Sequence, residues 1–460
     1  MRTKAARRLE ADRLLMRRKK ILLISVAQNY TKGHKGKTTP CAALGIIAAY
    51  TPSTYEVILA NEQNHDDVFH DDVDLVGFSA MTCQINRSME VAKYYRERGI
   101  PTVIGGIHAT VRPEDAHDHF DAVVIGEGDM IWKEVIADFE KGALKKTYKA
   151  DALVDMALVP PFRHDLLYKN KTTFSHAIVQ TSRGCPYKCD FCSVTDLFGS
   201  HYRTRPVDNI VQEIAGLKQK FIFFIDDNIM GNHTYAYELF ARLVPLKKAW
   251  VGQASLELSV KDLTLLKLAK KSGCQGLFIG IESVSEVNTA GKLGSADLKK
   301  ISEKIKILRD HGLIVNTSVI FGFDHDDKYC FEKTVEFLLK NDVALGNFPN
   351  LTAYPGSALF KRLEKEGRIL HYDWSKYNNH HPTFKLAKLT PEELVAGGYW
   401  SSYYFYKTRN ILKRLPANMR NFFKYAYMNV QYHRITRAQK ADARITKMPP
   451  AMRKEWLAQF

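Results

Sequence analysis

Residues 176–194 read HAIVQTSRGCPYKCDFCSV, an apolar, strand-like run that passes directly into a loop with three cysteines. Cys185, Cys189 and Cys192 stand in a C-x3-C-x2-C spacing. Three thiolates on one loop can ligate a [4Fe-4S] cluster and leave one iron open to a ligand from outside the chain. A structural zinc or cluster site is the alternative that the spacing alone leaves open. The other cysteines are remote in sequence, at positions 41, 83, 274 and 330.

Around this loop, residues 176–384 alternate between strand-like and helical patterns. Six strand candidates separated by helical stretches favour an open, partial (β/α)6 barrel of the TIM type, with its active site at the carboxyl ends of the strands. The candidates read HAIVQTS, FIFFIDDN, WVGQASLEL, GLFIGIES, VNTSVIFGF and GNFPNLTAY. On this interpretation the cysteine loop follows the first barrel strand.

The N-terminal part of the chain predicts a second α/β domain. Between residues 20 and 145, continuous apolar runs such as KILLIS and DAVVIG alternate with helical stretches, which indicates a Rossmann-like parallel sheet covered on both faces. Residues 146–175 include Pro160-Pro161, show no sustained period and are predicted to be a linker. The outer segments are predicted to be a basic helix at 1–19 and a basic, helical region at 385–460.

The cysteine loop resembles the signature of the radical S-adenosylmethionine (SAM) superfamily, including the aromatic Phe191 before the last cysteine. The resemblance implies that Cys185, Cys189 and Cys192 ligate the cluster and that the open iron chelates the amino and carboxylate groups of SAM. It further implies that reduction of SAM yields a 5′-deoxyadenosyl radical. The electron would come from an external one-electron reductant such as flavodoxin or ferredoxin.

Further residues of the barrel match the same family pattern and are predicted to bind SAM. The acidic strand end at 224–228 resembles the segment that meets the methionine amino group, with a helix N-cap as the alternative at Asp227 or Asn228. The strand end at 280–283 resembles the ribose-contacting segment, and residues 319–323 resemble the strand that packs on adenine. The predicted SAM-binding residues are Arg203, Asp226, Asn228, Gln253, Glu282 and Ser283.

A parallel α/β domain in front of such a barrel is similar to the arrangement in B12-binding (cobalamin-dependent) radical SAM proteins. Residues 104–108 (IGGIH) and 124–129 (VIGEGD) resemble that family's GGxH and GEGE segments. The resemblance implies cobalamin as a third cofactor, although a Rossmann-like domain without cobalamin would have similar glycines. The predicted cobalamin contacts are Ser79, Gly105, Gly106, Gly126 and Glu127.

The cobalamin-binding pattern is incomplete in one respect. The sequence lacks the family's D-x-H-x-x-G motif, whose histidine coordinates cobalt from below. His65 stands near the expected place, but the residues after it have the wrong spacing. We therefore expect cobalamin to be bound without a lower histidine ligand.

The resemblance implies chemistry at an unactivated carbon, where the cofactors carry the difficult step because no acidic proton is available to an acid or base. We expect C-methylation of a lipid-like or other small-molecule substrate, with methylcobalamin as the methyl donor. A cyclisation or carbon–carbon coupling without methyl transfer is one alternative. RNA modification is another, less favoured because the N-terminal half offers only Cys41 and Cys83 for a second cluster. A non-catalytic sensor would not need the intact cysteine trio with Asp226 and Glu282.

The charge of the chain is concentrated at its two ends. The formal net charge is +17, and residues 1–20 and 401–460 carry nine and thirteen Lys or Arg against two acidic residues each. Both segments also contain large apolar side chains, so we hypothesise peripheral attachment to the inner face of an anionic membrane, with solvated tails as the alternative. The seven cysteines form no even disulfide framework, and we expect a cytoplasmic protein.

Overall fold

The computed structural model describes residues 17–28, 39–168, 176–199, 201–284 and 295–439. Within these residues the chain forms two compact units, which divide between residues 174 and 175. Most of the predicted basic helix at 1–19, and the basic segment from 440 onward, lie outside the described residues.

The N-terminal unit is the Rossmann-like domain that the sequence predicts. Its strands are β1 (Lys20–Ser25), β2 (Glu56–Asn61), β3 (Leu75–Ser79), β4 (Thr102–Gly105), β5 (Ala122–Ile125) and β6 (Thr147–Lys149). Its helices are α1 (Ala42–Tyr50), α2 (Ile85–Arg96), α3 (Ile107–Val111), α4 (Gly128–Glu140) and α5 (His164–Leu167). The strands form one parallel sheet in the order β2-β1-β3-β4-β5-β6.

The local sequence explains this sheet and one departure from the prediction. All four residues from Ile21 to Ile24 in β1 are buried, which is why the strand is continuously apolar rather than alternating. β6 pairs in parallel with β5, although residues 146–175 were assigned to a linker. A strand of three residues, reading TYK, is too short to show a period in the sequence.

The C-terminal unit is an open, partial barrel of six parallel strands, as predicted. Its strands are β7 (His176–Val179), β8 (Ser182–Arg183), β9 (Arg203–Thr204), β10 (Phe221–Phe224), β11 (Ala249–Ser255), β12 (Cys274–Glu282), β13 (Ile314–Val319) and β14 (Leu345–Asn347). The barrel order is β14-β13-β12-β11-β10-β7, and β8 and β9 form a separate antiparallel pair.

Helices connect the barrel strands and continue beyond them. The connecting helices are α6 (Val194–Phe198), α7 (Val207–Gly216), α8 (His233–Leu243), α9 (Leu256–Lys261), α10 (Leu263–Lys271), α11 (Ser295–Asp310) and α12 (Cys330–Lys340). After the last strand follow α13 (Ala358–Lys365), α14 (Pro391–Phe405), α15 (Thr408–Arg414) and α16 (Phe422–Gln439). The predicted helical C-terminal region is therefore confirmed over the part that the structure describes.

Helices pack on one face of the barrel sheet and leave side chains of the other face exposed. Trp250 of β11 stacks on Phe240 of α8, with ring centroids 5.0 Å apart, so this side of the strand faces the helices. Because side chains alternate along a strand, Gln253 points to the opposite side, where it is exposed. We call this second side the open face of the barrel.

Side chains from the C-terminal helices cap the edge strand β14. Edge strands leave backbone groups without a strand partner. The Tyr406 hydroxyl accepts from the amide of Gly346 and donates to its carbonyl, each at 3.0 Å. The fully buried Arg414 donates to the carbonyls of Val343 at 2.8 Å and Ala344 at 3.2 Å. The C-terminal region thus completes the barrel.

Among the helices in the described ranges, none combines the length and the apolar character that crossing a bilayer requires.

Candidate active site and cofactor sites

The three cysteines lie on the loop between β8 and α6, at the carboxyl end of the first barrel strand. The loop turns tightly, because the amide of Cys192 donates to the carbonyl of Cys189 at 3.1 Å. Cys189 is exposed, and Cys185 and Cys192 are half-buried. The thiols are therefore accessible from one side, as a cluster-binding loop requires.

The electrostatics of the loop fit a positively charged iron centre. Although Cys189 is exposed as a residue, the protein around its thiol removes enough water to raise its pKa to about 11, with further contributions from the charges of Glu282 and the other two thiols. The pKa values of Cys185 and Cys192 are also raised, mainly by burial. Three neighbouring thiolates disfavour one another, and the iron of a cluster supplies the compensating charge.

The spacing of possible ligands also bears on the zinc alternative. In the described part of the chain, no group of three or more His, Cys, Asp or Glu side chains is arranged to hold a single metal ion. In a cubane cluster each cysteine ligates a different iron, so its thiols stand farther apart than those around one zinc ion. Three thiolates on one loop are the donor set that an iron–sulfur cluster takes, with one iron left open.

Asp226 fastens the start of the cysteine loop to β10. Its Oδ1 accepts from the amide of Thr181 at 3.0 Å, the hydroxyl of Thr181 at 2.7 Å and the hydroxyl of Ser182 at 2.5 Å. Its Oδ2 is buried without a hydrogen-bond partner among the described residues. The predicted contact of Asp226 with SAM stays a prediction, and Oδ2 is the atom left for it.

The neighbouring Asp227 is a candidate that the sequence analysis left out of the site. Burial and the charge of Asp226 raise its pKa to about 6, while the amide of Gly184 donates to it. Its charge in turn contributes to the raised pKa values of Cys185 and Cys192. Its place just after the buried end of β10, beside Asp226, is the signal in the sequence that could have found it.

Asn228 also lies beside the cysteine loop. Its side chain hydrogen-bonds Cys185 and donates to the hydroxyl of Ser255 at 3.3 Å. Its Oδ1 accepts from the amide of Met230 at 3.3 Å, so the side chain also holds the turn after β10. Asn228 is thus placed to orient a cluster ligand as well as to meet a bound cofactor.

Glu282 stands at the end of β12 in an uncommon backbone conformation. Its φ is +65°, and the register with β13 shifts between Gly280 and Glu282. The carboxyl folds back over Gly280, where a Cβ atom would stand 2.1 Å from Oε1. Burial raises the pKa of Glu282 to about 7. The bulge aims the carboxyl at the cysteine loop, since the Glu282 charge also contributes to the raised pKa of Cys189.

The remaining predicted SAM contacts differ in their surroundings. Ser283 is buried, with its hydroxyl 3.3 Å from Nε2 of His325. Gln253 is exposed on the open face, as its predicted role requires. Arg203 is half-buried in β9, and its guanidinium donates to the carbonyl of Phe198 at 3.2 Å. These roles stay predictions.

Two contacts tie the cysteine loop to later parts of the barrel. Phe191 packs edge-on against Phe323, with ring centroids 5.9 Å apart, which brings the loop to the segment predicted to pack on adenine. The carbonyl of Asp190 accepts from the amide of Leu359 at 2.8 Å. The loop is therefore positioned by residues far along the chain as well as by β7 and β10.

In the N-terminal unit, the predicted cobalamin contacts gather at the carboxyl ends of neighbouring strands. Ser79 pairs with Gly105 across β3 and β4, and Gly126 follows β5. Gly106 has a φ of +98°, and a Cβ there would stand 2.9 Å from the backbone of Ala80. Gly106 is therefore required by the close approach of the end of β3. Open α/β sheets bind ligands at this edge, and the cobalamin contacts stay predictions.

Glu127, His108 and His65 each have a place in the structure of the N-terminal unit itself. Glu127 is buried and accepts from the amide of Val154 at 2.6 Å, so it anchors the chain after β6. His108 is fully buried with Nε2 3.2 Å from Asp115, and burial lowers its pKa to about 4. His65 ends the turn after β2. The absence of a lower histidine ligand stays a prediction.

Two family models match the chain, one in each of its two units. The family model described as the radical SAM superfamily matches residues 179–338, and the one described as the B12 binding domain matches residues 35–136. The chain belongs to the B12-binding radical SAM superfamily. It therefore has a radical SAM domain and a B12-binding domain, and the cofactors of these domains are a [4Fe-4S] cluster with SAM, and cobalamin.

Several curated relatives are similar over both domains. Bacteriochlorophyllide d C-12(1)-methyltransferase of Chlorobaculum tepidum is 28% identical over 91% of this chain and 94% of its own length. Hopanoid C-2 methylase of Rhodopseudomonas palustris is 27% identical over 73% of this chain and 66% of its own length. Anaerobic magnesium-protoporphyrin IX monomethyl ester cyclase of Cereibacter sphaeroides is 26% identical over 70% of this chain and 58% of its own length.

Solved structures share the fold at low sequence identity. The cobalamin-dependent SAM radical enzyme OxsB, with aqua-cobalamin and SAM bound, has a TM-score of 0.66 at 13% identity, over 98% of this chain and 85% of its own. The radical SAM methyltransferase TsrM of Kitasatospora setae, with cobalamin and cluster bound, has a TM-score of 0.60 at 15% identity, over 76% and 78%. Both likenesses support the predicted fold.

Proposed function

We propose that this superfamily member transfers a methyl group to an unactivated carbon of a hydrophobic, ring-containing small molecule. The observation that carries the proposal is the match to the bacteriochlorophyllide methyltransferase, which spans nearly the whole of both chains and hence both cofactor domains. The hopanoid methylase supports the same class of substrate. Both of these relatives are named for methylation of large ring systems.

The open face of the barrel supports such a substrate. Phe223, Val251 and Phe278 point to it from neighbouring strands and remain half-buried, so they form an apolar floor. Gln253 and Asn316 flank Phe278 in register on the adjacent strands and offer amide groups. An apolar surface with a few placed polar groups is the usual character of a small-molecule site.

The chain's own residues position and shield the reaction. When bound, the cluster, SAM and cobalamin supply the one-electron chemistry and the methyl group. Asp226 holds the cysteine loop, and Asn228 orients Cys185. Glu282, with a pKa of about 7, can accept hydrogen bonds as a carboxylate or donate one as an acid near neutral pH. Phe191 and Phe323 cover the loop on one side.

The test uses the full chain, purified anaerobically with cobalamin and a reconstituted cluster. It is incubated with reductant, SAM bearing a deuterated methyl group, and either bacteriochlorophyllide d or a hopanoid as the probe substrate. We expect 5′-deoxyadenosine, S-adenosylhomocysteine and a product that carries the deuterated methyl group on carbon. SAM cleavage that yields unlabelled products with both probes would contradict methyl transfer to this substrate class.

A cyclase is the second candidate. It is favoured by the match to the magnesium-protoporphyrin cyclase, which covers 70% of this chain. Such an activity would give an unmethylated product with an additional ring, and S-adenosylhomocysteine would not accumulate. The same incubation, with magnesium-protoporphyrin IX monomethyl ester as a third probe, separates the two functions by the mass of the product.

A further inference from the structure

The last described helix, α16, has two faces of different character. Tyr425, Asn429 and Thr436 are buried and face the barrel, where the Asn429 amide donates to the carbonyl of Ala344 at 3.2 Å. The opposite face carries residues at positions 423, 427, 430 and 434, a helical spacing that places them on one stripe. All four of these side chains are exposed.

The exposed stripe is apolar and aromatic. Phe423 is 85% exposed and Tyr427 is 68% exposed. Val430 continues the stripe, and Met419, one helical turn before Phe423, is also exposed. Phe422 packs edge-on against Phe423, with ring centroids 5.3 Å apart. A run of adjoining large apolar side chains in solvent indicates a surface that is covered in use.

The charged side chains in the segment that carries the stripe are all basic. Between Glu393 and Asp442 the sequence contains no acidic residue, and the basic side chains include Lys413, Arg434 and Arg437, all three exposed. Basic groups beside exposed aromatic and aliphatic side chains are the combination that binds the interface of an anionic bilayer. A second copy of this surface would bring like charges together, which disfavours self-association through it.

We propose that the stripe, defined as Met419, Phe423, Tyr427 and Val430 with Arg434, inserts into the headgroup region of an anionic membrane. The inference rests on the proposed function, because a hydrophobic ring substrate would reside in such a membrane. The inner side of α16 also reaches the open face. The hydroxyl of Tyr432 donates to Oδ1 of Asn347 at 3.3 Å, and the Asn347 amide donates to Asn316 at 2.7 Å.

The test is flotation of the full-length protein with vesicles of phosphatidylcholine, with and without phosphatidylglycerol. We expect binding to the anionic vesicles and loss of that binding in high salt. The double variant Phe423→Ala/Tyr427→Ala should reduce the bound fraction about tenfold, since each exposed ring loses its burial in the interface. Tyr329→Ala, which removes a 54% exposed aromatic side chain at the N-cap of α12, is the control and should bind as wild type.

Three outcomes would overturn the inference. The wild-type protein could fail to bind anionic vesicles, or the double variant could bind as well as wild type, which would place the contact elsewhere in the chain. The stripe could instead mediate self-association or RNA binding, seen as a change in molar mass or in affinity for a single-stranded RNA in the double variant. The double variant should still methylate detergent-solubilised substrate at the wild-type rate. This activity assay shows whether the proposed function fails, independently of whether the membrane contact of the stripe fails.

Discussion

At the scale of single residues, the cysteine loop depends on a carboxylate that is hidden beneath it. Oδ1 of Asp226 accepts three hydrogen bonds from Thr181 and Ser182, two residues that precede the loop. Leaving these buried donors without an acceptor costs free energy and loosens the loop. Asp226 is therefore a positioning residue in addition to any contact it makes with SAM.

We predict that Asp226→Ala lowers the iron content of the purified protein and its rate of SAM cleavage by about tenfold or more, because the lost network destabilises the loop by about 2–4 kcal/mol. Asp208→Ala, at an exposed position of α7, is the control. Iron and sulfide analysis together with the visible absorption spectrum give the readout. Full cluster occupancy in Asp226→Ala would show that the loop does not need the hydrogen bonds to Asp226.

A second residue-scale prediction concerns pH and the N-terminal unit. The pKa of the buried His108 is lowered to about 4, mainly by burial. The unfolded chain takes up this proton below about pH 6.5, whereas the folded chain does not until about pH 4. The contribution of His108 to the free energy of unfolding is therefore fully present above about pH 6.5, and it falls by about 2–3 kcal/mol as the pH drops towards 4.

Hydrogen exchange of the amides in β3–β5, measured between these two pH values, would check this. Their protection should decrease as the pH falls in the wild-type protein, and His108→Gln should flatten the dependence. An equal slope in both proteins would assign the effect to other groups.

Only part of the candidate site could be predicted from the sequence. The spacing of the cysteines predicts the cluster loop without any structure, because the predicted ligands are close together in sequence. The sequence did not single out Asp227 from its neighbour Asp226. It also did not show that Asp226 holds the loop, because the donors of Thr181 and Ser182 lie 44 or more residues away in sequence. Such partners follow from strand pairing, which a single sequence does not reveal.

At the scale of elements, the end of the barrel depends on buried side chains from the last helices. Arg414 donates to four backbone carbonyls, belonging to Val343, Ala344, Phe405 and Asn410. Helices in this region could be predicted from the sequence, but their packing could not, because Arg414 and Asn429 look like surface residues until the edge of β14 is placed beside them. β6 lies in the predicted linker for another reason, since its three residues are too few to show a period in the sequence.

We predict that Arg414→Leu lowers the free energy of unfolding of the C-terminal unit by about 3–5 kcal/mol, since buried carbonyls lose a charged, forked donor. Arg414→Lys should not restore it, because an ammonium cannot reach several carbonyls in a plane. Thermal unfolding monitored by circular dichroism gives the measurement, with the exposed Arg409→Leu as control. A wild-type melting temperature in Arg414→Leu would contradict the proposed capping of β14.

At the scale of the whole molecule, the order of the two domains and their cofactors could be predicted from local patterns. The glycine-rich strand ends of the N-terminal unit and the cysteine loop of the barrel each carry their own signal, and both family matches agree with them. The substrate could not be predicted in the same way, because the open face is assembled from single residues on successive strands. Its apolar floor becomes visible only when Phe223, Val251 and Phe278 are brought side by side.

The proposed function depends above all on the loop of Cys185, Cys189 and Cys192, which we infer to hold the cluster that cleaves SAM. The most direct measurement is anaerobic formation of 5′-deoxyadenosine from SAM by the cobalamin-loaded protein and by single Cys→Ala variants of the three positions. Cys330→Ala, a buried cysteine outside the loop, is the control. We predict that each loop variant loses the activity while Cys330→Ala keeps it; sustained SAM cleavage in any of the three loop variants would contradict the assignment.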